Sequence, residues 1–235
     1  MQARLARNTH RDKSLRMSER SEVLTQLVSQ RWADAERFFE RARVDLAKPH
    51  GIGFRALFAS VPRRLGAQAR EAVSAPHAIA SLTRPHWTLT DYVRAALIAR
   101  AIDTMPVAEQ PAFVLQLFEA GEIGEQVSLL RTLPLLPEPA RFVETGFQAC
   151  RTNARDVFEA VVCENPFLVE HFPALNFNQA VLKAIFMEVS ARRIENLEQR
   201  ITSELQRMCE GYASERRAAG RPVPADIDYI VQHGA

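Results

Sequence analysis

The chain has 235 residues, of which 47% are hydrophobic and 25% charged, and its formal net charge is +2. Because its 30 basic and 28 acidic residues are interleaved through most of the length, the charge pattern argues against a nucleic-acid-binding protein. No run approaches the roughly 18 consecutive apolar residues that span a bilayer, and the 3 cysteines lack metal-ligand spacing, so we expect a cytoplasmic protein with reduced thiols and no transmembrane segment.

The N-terminal region is basic. Six arginines or lysines stand against two carboxylates in the first twenty residues, without the apolar region or cleavage site of a targeting peptide. We therefore predict a disordered basic arm over 1–17. A single all-α domain is expected over 18–235, with N-terminal helices in 18–87 and a regular helical array in 88–235.

Helical periodicity begins at Ser18. Apolar residues recur every three or four positions from Leu24 to Leu46, which predicts one long helix over about 18–47. A break at 48–53 follows, and then a short helix over 54–60 that is stopped by Pro62. Residues 61–87 show no clear pattern.

The array from Thr88 onward is more regular. Thr90-Asp91 gives an N-cap signal, and helices of about a dozen residues then follow one another, separated by short proline-containing loops, as far as Gly220. Alternating β-branched runs are missing, so the chain is predicted to be all-α. Antiparallel helix pairs of this kind stack as an irregular α-solenoid, HEAT- or armadillo-like, or close into a helical bundle.

Motifs of catalysis and metal binding are also missing from the sequence. The six histidines never form a His-Glu pair at helical spacing, no Gly-x-Ser-x-Gly elbow occurs, and Gly51-Ile52-Gly53 follows no strand. We therefore expect no metal and no cofactor, and we assign no catalytic residue.

Polar residues interrupt the apolar helices of the C-terminal third. Asn153 and Asn165 are interpreted as helix caps or stops, and Arg155 and Glu159 as a local ion pair. Lys183 lies at the border of an apolar stripe, from which a lysine usually reaches to water.

The same region resembles the EboA family. The resemblance rests on the runs Arg151-Thr-Asn-Ala-Arg-Asp-Val-Phe-Glu159, Asn165-Pro166, Phe177-Asn178-Gln179 through Lys183, and Glu215-Arg216-Arg217 through Arg221-Pro222. Phe177 stands where the family commonly has tryptophan. The resemblance implies a helical cytosolic protein encoded with the other proteins of bacterial ebo operons, whose proposed context is making or moving a metabolite precursor.

Two hypotheses follow for the function. In the first, the chain is a non-catalytic accessory protein that binds a partner protein of its operon or a metabolite precursor. In the second, it is an enzyme or ligand-binding protein with a pocket for a phosphate- or carboxylate-bearing molecule. The candidate binding residues are Arg151, Asn153, Glu159, Asn178, Lys183, Glu215, Arg216 and Arg221.

Overall fold

A computed structural model describes residues 17–233 of the chain. Apart from Met17, the predicted basic arm lies outside these residues. Within them the chain forms twelve α-helices and no β-strand, which confirms the all-α class. The helices are α1 (Met17–Arg31), α2 (Ala35–Leu46), α3 (Ile52–Leu65), α4 (Leu89–Asp103), α5 (Gln110–Glu119), α6 (Ile123–Thr132), α7 (Val143–Arg151), α8 (Arg155–Val162), α9 (Pro166–His171), α10 (Ala174–Phe186), α11 (Ser203–Ala218) and α12 (Ala225–Gln232).

The chain divides into two compact units. The first ends at Thr145 and the second begins at Gly146, so the boundary falls within α7. The prediction of a single domain over 18–235 stays a prediction, as does the choice between a solenoid and a bundle.

Helix α4 forms the centre of the first unit, where it packs against α1, α3 and α6. Almost every side chain of α4 is buried, which is typical of a helix surrounded by other elements. Its N-cap is Thr88, which forms a capping box with Asp91. The cap therefore lies two residues before the predicted Thr90.

Charged side chains of α4 are buried in a hydrogen-bonded network. The Asp91 carboxylate accepts hydrogen bonds from Arg131 Nη1 at 2.8 Å, from Ser128 Oγ at 2.8 Å and from the Thr88 backbone N–H at 2.8 Å. Arg94 donates from Nη1 to the carbonyl of Gly124 at 2.7 Å. Because each buried charge has partners, its desolvation is offset.

The prediction that Pro62 stops the third helix is wrong. It lies inside α3, which continues to Leu65. A proline in a helix has no N–H for the carbonyl four residues earlier, here that of Phe58. The Arg94 guanidinium takes this place, donating from Nε to the Phe58 carbonyl at 3.3 Å. The buried arginine therefore gives that carbonyl a substitute donor.

The single long helix predicted over 18–47 is also wrong. The chain turns at residues 32–34 and forms α1 and α2 instead. Trp32 and Phe38 are both buried, with their ring centroids 5.0 Å apart, and Phe39 is buried beside them. In one straight helix Trp32 and Phe39 would share a face, but Phe38 would point roughly 100° away from Phe39, whereas the turn brings all three rings into the same core.

Two predicted caps in the second unit have different outcomes. Asn165 caps α9, because its side chain accepts a hydrogen bond from the Phe167 N–H, as predicted. Asn153 does not cap α8: the N-cap residue is Ala154, and the hydroxyl oxygen of Thr152 accepts from its N–H at 3.1 Å. Thr152 therefore binds the backbone just before the helix, and no side chain that the structure describes caps α8.

The Asp91 network makes a testable contribution to stability. Asp91→Asn leaves Arg131 without its carboxylate partner and should lower the free energy of unfolding by about 3 kcal/mol. Both tryptophans, Trp32 and Trp87, lie in the first unit, so tryptophan fluorescence during urea denaturation reports on this unit.

The control is Glu40→Gln, which breaks an exposed pair with Arg43 and should leave the urea midpoint nearly unchanged. Equal decreases in the free energy of unfolding of Asp91→Asn and Glu40→Gln would contradict a stabilising role for the network.

Candidate functional site

A cavity of about 230 Å³ opens on the second unit between α7 and α10, and we call it the α7–α10 cavity. Its lining side chains on α10 stand at helical spacing, so they share one face of that helix. Those on α7 are likewise three and four residues apart. The lining residues are Phe147, Cys150, Arg151, Phe172, Asn176, Gln179, Ala180 and Lys183.

One wall of the cavity is aromatic. The rings of Phe147 and Phe172 meet edge to face, with centroids 4.9 Å apart. Gly146 allows this approach, because a Cβ at that position would lie 2.8 Å from the Phe172 ring. The glycine therefore lets the Phe172 ring lie against α7.

Lys183 turns toward the end of α7 rather than toward water, which corrects the expectation from its border position. Its Nζ donates to the carbonyls of Cys150 at 2.6 Å and Thr152 at 2.7 Å. These bonds satisfy carbonyls that the end of α7 leaves without intrahelical partners, and the positive charge complements the helix dipole. Nζ also lies 5.4 Å from the centroid of the Phe158 ring. An ammonium has three donors, so one remains.

The charge of the cavity is positive. Arg151, at the C-terminal end of α7, and Lys183 both line it, and Asn176 and Gln179 on α10 add two carboxamides. The lining, all of it within residues 17–233, includes no carboxylate. Such a set of donors suits a ligand with a carboxylate or phosphate group.

The thiol of Cys150 is not an activated nucleophile. Burial raises its pKa to about 12, and the nearby Lys183 charge only partly opposes this effect. The thiol is therefore protonated at neutral pH, whereas nucleophilic attack needs the thiolate.

Glu159 lies outside the cavity lining and belongs to a cluster of ion pairs. Its carboxylate accepts from Arg155 Nε at 2.6 Å, which confirms the predicted pair, and from Arg193 Nη1 at 2.5 Å. Arg193 also donates to Glu164 at 2.8 Å. Burial alone raises the pKa of Glu159, but the hydrogen bonds from Arg193 and Arg155 outweigh it and lower the pKa overall. The carboxylate is thus a poor proton acceptor at neutral pH.

The other predicted binding residues lie elsewhere. Asn178 is buried on α10, while Asn153, Glu215 and Arg221 are exposed. Arg216 donates from Nε to the Pro222 carbonyl at 3.0 Å. Of the eight candidates, the structure brings only Arg151 and Lys183 to the cavity, and their role in binding stays a prediction.

Sequence reasoning missed the other side chains that line the cavity. Gln179 and Asn176 precede Lys183 by four and seven residues, so a search for polar positions on one helical face would have found them. Phe172 lies in the loop before α10, and no periodic signal points to it.

Two further findings concern metal-binding groups and membrane-spanning helices. Among residues 17–233, no three His, Cys, Asp or Glu side chains are grouped so that they could bind a metal ion. Over the same residues, every helix is too short or too polar to cross a membrane.

Comparison with known proteins identifies a family. A family model described as metabolite traffic protein EboA matches residues 20–232. Neither a curated protein nor a solved structure matches the chain significantly.

The position of Lys183 predicts a loss of stability on substitution. Lys183→Met removes both hydrogen bonds to the end of α7 and should lower the free energy of unfolding by about 2 kcal/mol, as measured by circular dichroism during chemical denaturation. Gln179→Met, one turn earlier on the same helix face, is the control and should change stability little. A loss as large in this control would argue against the capping role.

The Glu159 pairs predict a dependence of stability on pH. Since its pKa is lower in the folded protein than the ordinary value of 4.5, the pairs stabilise the fold above that value, and this contribution is lost as the pH falls through the folded pKa. As the pH falls below 4.5, the free energy of unfolding of Glu159→Gln should therefore decrease less than that of the parent protein, as measured by denaturation at a series of pH values. Parallel pH curves for the two proteins would contradict the assignment.

Proposed function

The chain belongs to the EboA family, and from that premise we propose that it is a non-catalytic accessory protein that holds a small anionic metabolite in the α7–α10 cavity. The family description, metabolite traffic, gives the chain a metabolite-related role. The observation that carries the more specific proposal is the arrangement of cations and carboxamides around one cavity.

The donors of the cavity can act together on one anionic group. Arg151 offers a planar guanidinium, which pairs with a carboxylate or phosphate through two parallel hydrogen bonds. Lys183 offers a point charge that α7 and α10 hold in place. The Gln179 carboxamide can donate from the α10 side of the cavity.

The rest of the cavity suits the organic part of a metabolite. Phe147 and Phe172 form an apolar wall in the same cavity as the polar side chains. Ligand sites in proteins commonly combine an apolar lining with a small number of placed polar groups.

The chemistry around the cavity favours binding over turnover. Catalysis would need a nucleophile or a base whose protonation state fits the task. Cys150 carries a protonated thiol, and the Glu159 carboxylate is held by two arginines. These features support an accessory role rather than an enzymatic one.

A protein partner is supported by a separate observation on α10. Leu175 is 62% exposed and Phe186 is 70% exposed, and with half-buried Leu182 they lie on one face of the helix. An apolar face next to a ligand cavity suits a protein to which the metabolite is passed, such as another protein of an ebo operon.

The test is recovery of the bound molecule. The protein is purified from its own host and denatured, and the released small molecules are measured by mass spectrometry. We expect an anionic compound from the parent protein. Its amount should fall about tenfold in Gln179→Glu, because a carboxylate of nearly the same shape at this exposed position repels an anion. Arg151→Gln should have a similar effect.

Arg217→Gln, an exposed position on α11 outside the cavity lining, is the matched control and should retain the compound. Circular dichroism of each variant checks that the fold is intact. Equal recovery from Gln179→Glu and from the parent protein, or no compound from the parent protein, would overturn the proposal.

A further inference from the structure

A second charged cavity lies in the first unit, between α2 and α3. Its volume is about 200 Å³, and we call it the α2–α3 cavity. It combines arginines from both helices with two aromatic rings and one carboxylate. The lining residues are Trp32, Asp34, Arg37, Phe38, Arg41 and Arg64.

The lining of this cavity has three arginines but only one carboxylate. Asp34 is the one acidic residue in the lining and lies 3.6 Å from Arg37 in an exposed pair. Arg41 makes no ion pair or hydrogen bond with the residues that the structure describes. Because Arg37 and Arg41 are four apart on α2, their like charges oppose each other. An anion between them would remove this repulsion.

Arg64 is held in place on the facing helix. Its Nε donates to Ser60 Oγ at 2.8 Å, and its guanidinium carbon lies 5.7 Å from the centroid of the Phe38 ring. Both contacts fix the plane of the guanidinium while leaving its two terminal nitrogens as donors. An oriented arginine loses less conformational freedom when an anion binds.

The wall beside the arginines is rigid and apolar. Trp32 is 7% exposed and Phe38 is 5% exposed, so only a small part of each side chain reaches the cavity. The two rings also pack on each other with centroids 5.0 Å apart. This wall can contact a small organic group next to the charged one.

We propose that the α2–α3 cavity binds the phosphate group of a small phosphate ester. The guanidiniums of Arg37, Arg41 and Arg64 pair with the phosphate oxygens, and the ester group lies against Trp32 and Phe38. Phosphate carries more charge than a carboxylate and has more acceptor oxygens, which suits three arginines from two helices. The site lies in the first unit, and it does not depend on the function proposed for the α7–α10 cavity.

Trp32 provides a direct signal for the test. The chain has two tryptophans, and in a Trp87→Phe background the emission comes from the cavity residue alone. This protein is titrated with inorganic phosphate, phenyl phosphate and phenol at constant ionic strength. We expect saturable changes in emission with both phosphates, tighter binding of phenyl phosphate, and no saturation with phenol.

The matched variants are Arg41→Gln and Arg43→Gln on the same helix. Arg43 is exposed and lies outside the cavity lining, so its loss should leave the dissociation constant unchanged. Loss of Arg41 should weaken binding of phenyl phosphate at least tenfold, while Gln179→Glu in the other unit should not affect it. Equal weakening in Arg41→Gln and Arg43→Gln, or no saturation with either phosphate, would overturn the proposal.

A lipid headgroup could supply the same phosphate chemistry. Sedimentation with phosphatidylcholine vesicles that contain phosphatidic acid separates the two sources. We expect no binding to these vesicles beyond that seen with phosphatidylcholine alone. Binding that requires Arg41 would assign the cavity to a membrane lipid and contradict a small ester as its ligand.

Discussion

The second unit depends on cationic side chains that cap the C-terminal ends of neighbouring helices. Lys183 on α10 binds carbonyls at the end of α7. Arg155 on α8 binds the carbonyls of Met187 and Glu188, just beyond α10, and Arg200 binds those of Val169 and Phe172 at the end of α9. Every helix leaves its last four carbonyls without intrahelical partners, so in a unit with helices as short as 6 residues these ends are a large share of the backbone. Side chains from other segments supply the missing donors, and each such contact joins a helix end to another part of the unit.

This constraint explains why the charged residues of the C-terminal third do not gather into a single polar site. Glu159 accepts hydrogen bonds from Arg155 and Arg193, and Arg216 donates one to the Pro222 carbonyl. Each of these side chains is held at a helix end or in an ion pair, as a fold of short helices requires. The α7–α10 cavity is formed where one of these contacts, that of Lys183, lies beside the exposed end of α7.

The features that could be predicted from the sequence depend on local chemistry. The wrong predictions concern features that residues far away in the sequence determine. The all-α class, the Asn165 cap and the Arg155–Glu159 pair follow from periodicity and spacing, and all three are present. The continuation of α3 through Pro62 depends on Arg94, 32 positions further along, which donates to the carbonyl that the proline leaves unpaired. The orientation of Lys183 likewise depends on α7, more than thirty residues earlier. Contacts of such sequence separation leave no periodic signal in one sequence.

The residues that the fold requires are distinct from those that can select a ligand. Lys183 has two of its three donors committed to the end of α7, so its charge is present in the cavity whether or not a ligand is bound. It can strengthen the binding of any anion, but it cannot choose between anions, because its position is fixed by the backbone. In the proposed site, choice comes from the other lining groups, which are the Arg151 guanidinium, the carboxamides of Asn176 and Gln179 and the aromatic wall. Under the proposed function, a family member that keeps the lysine but changes these side chains would therefore accept a different metabolite.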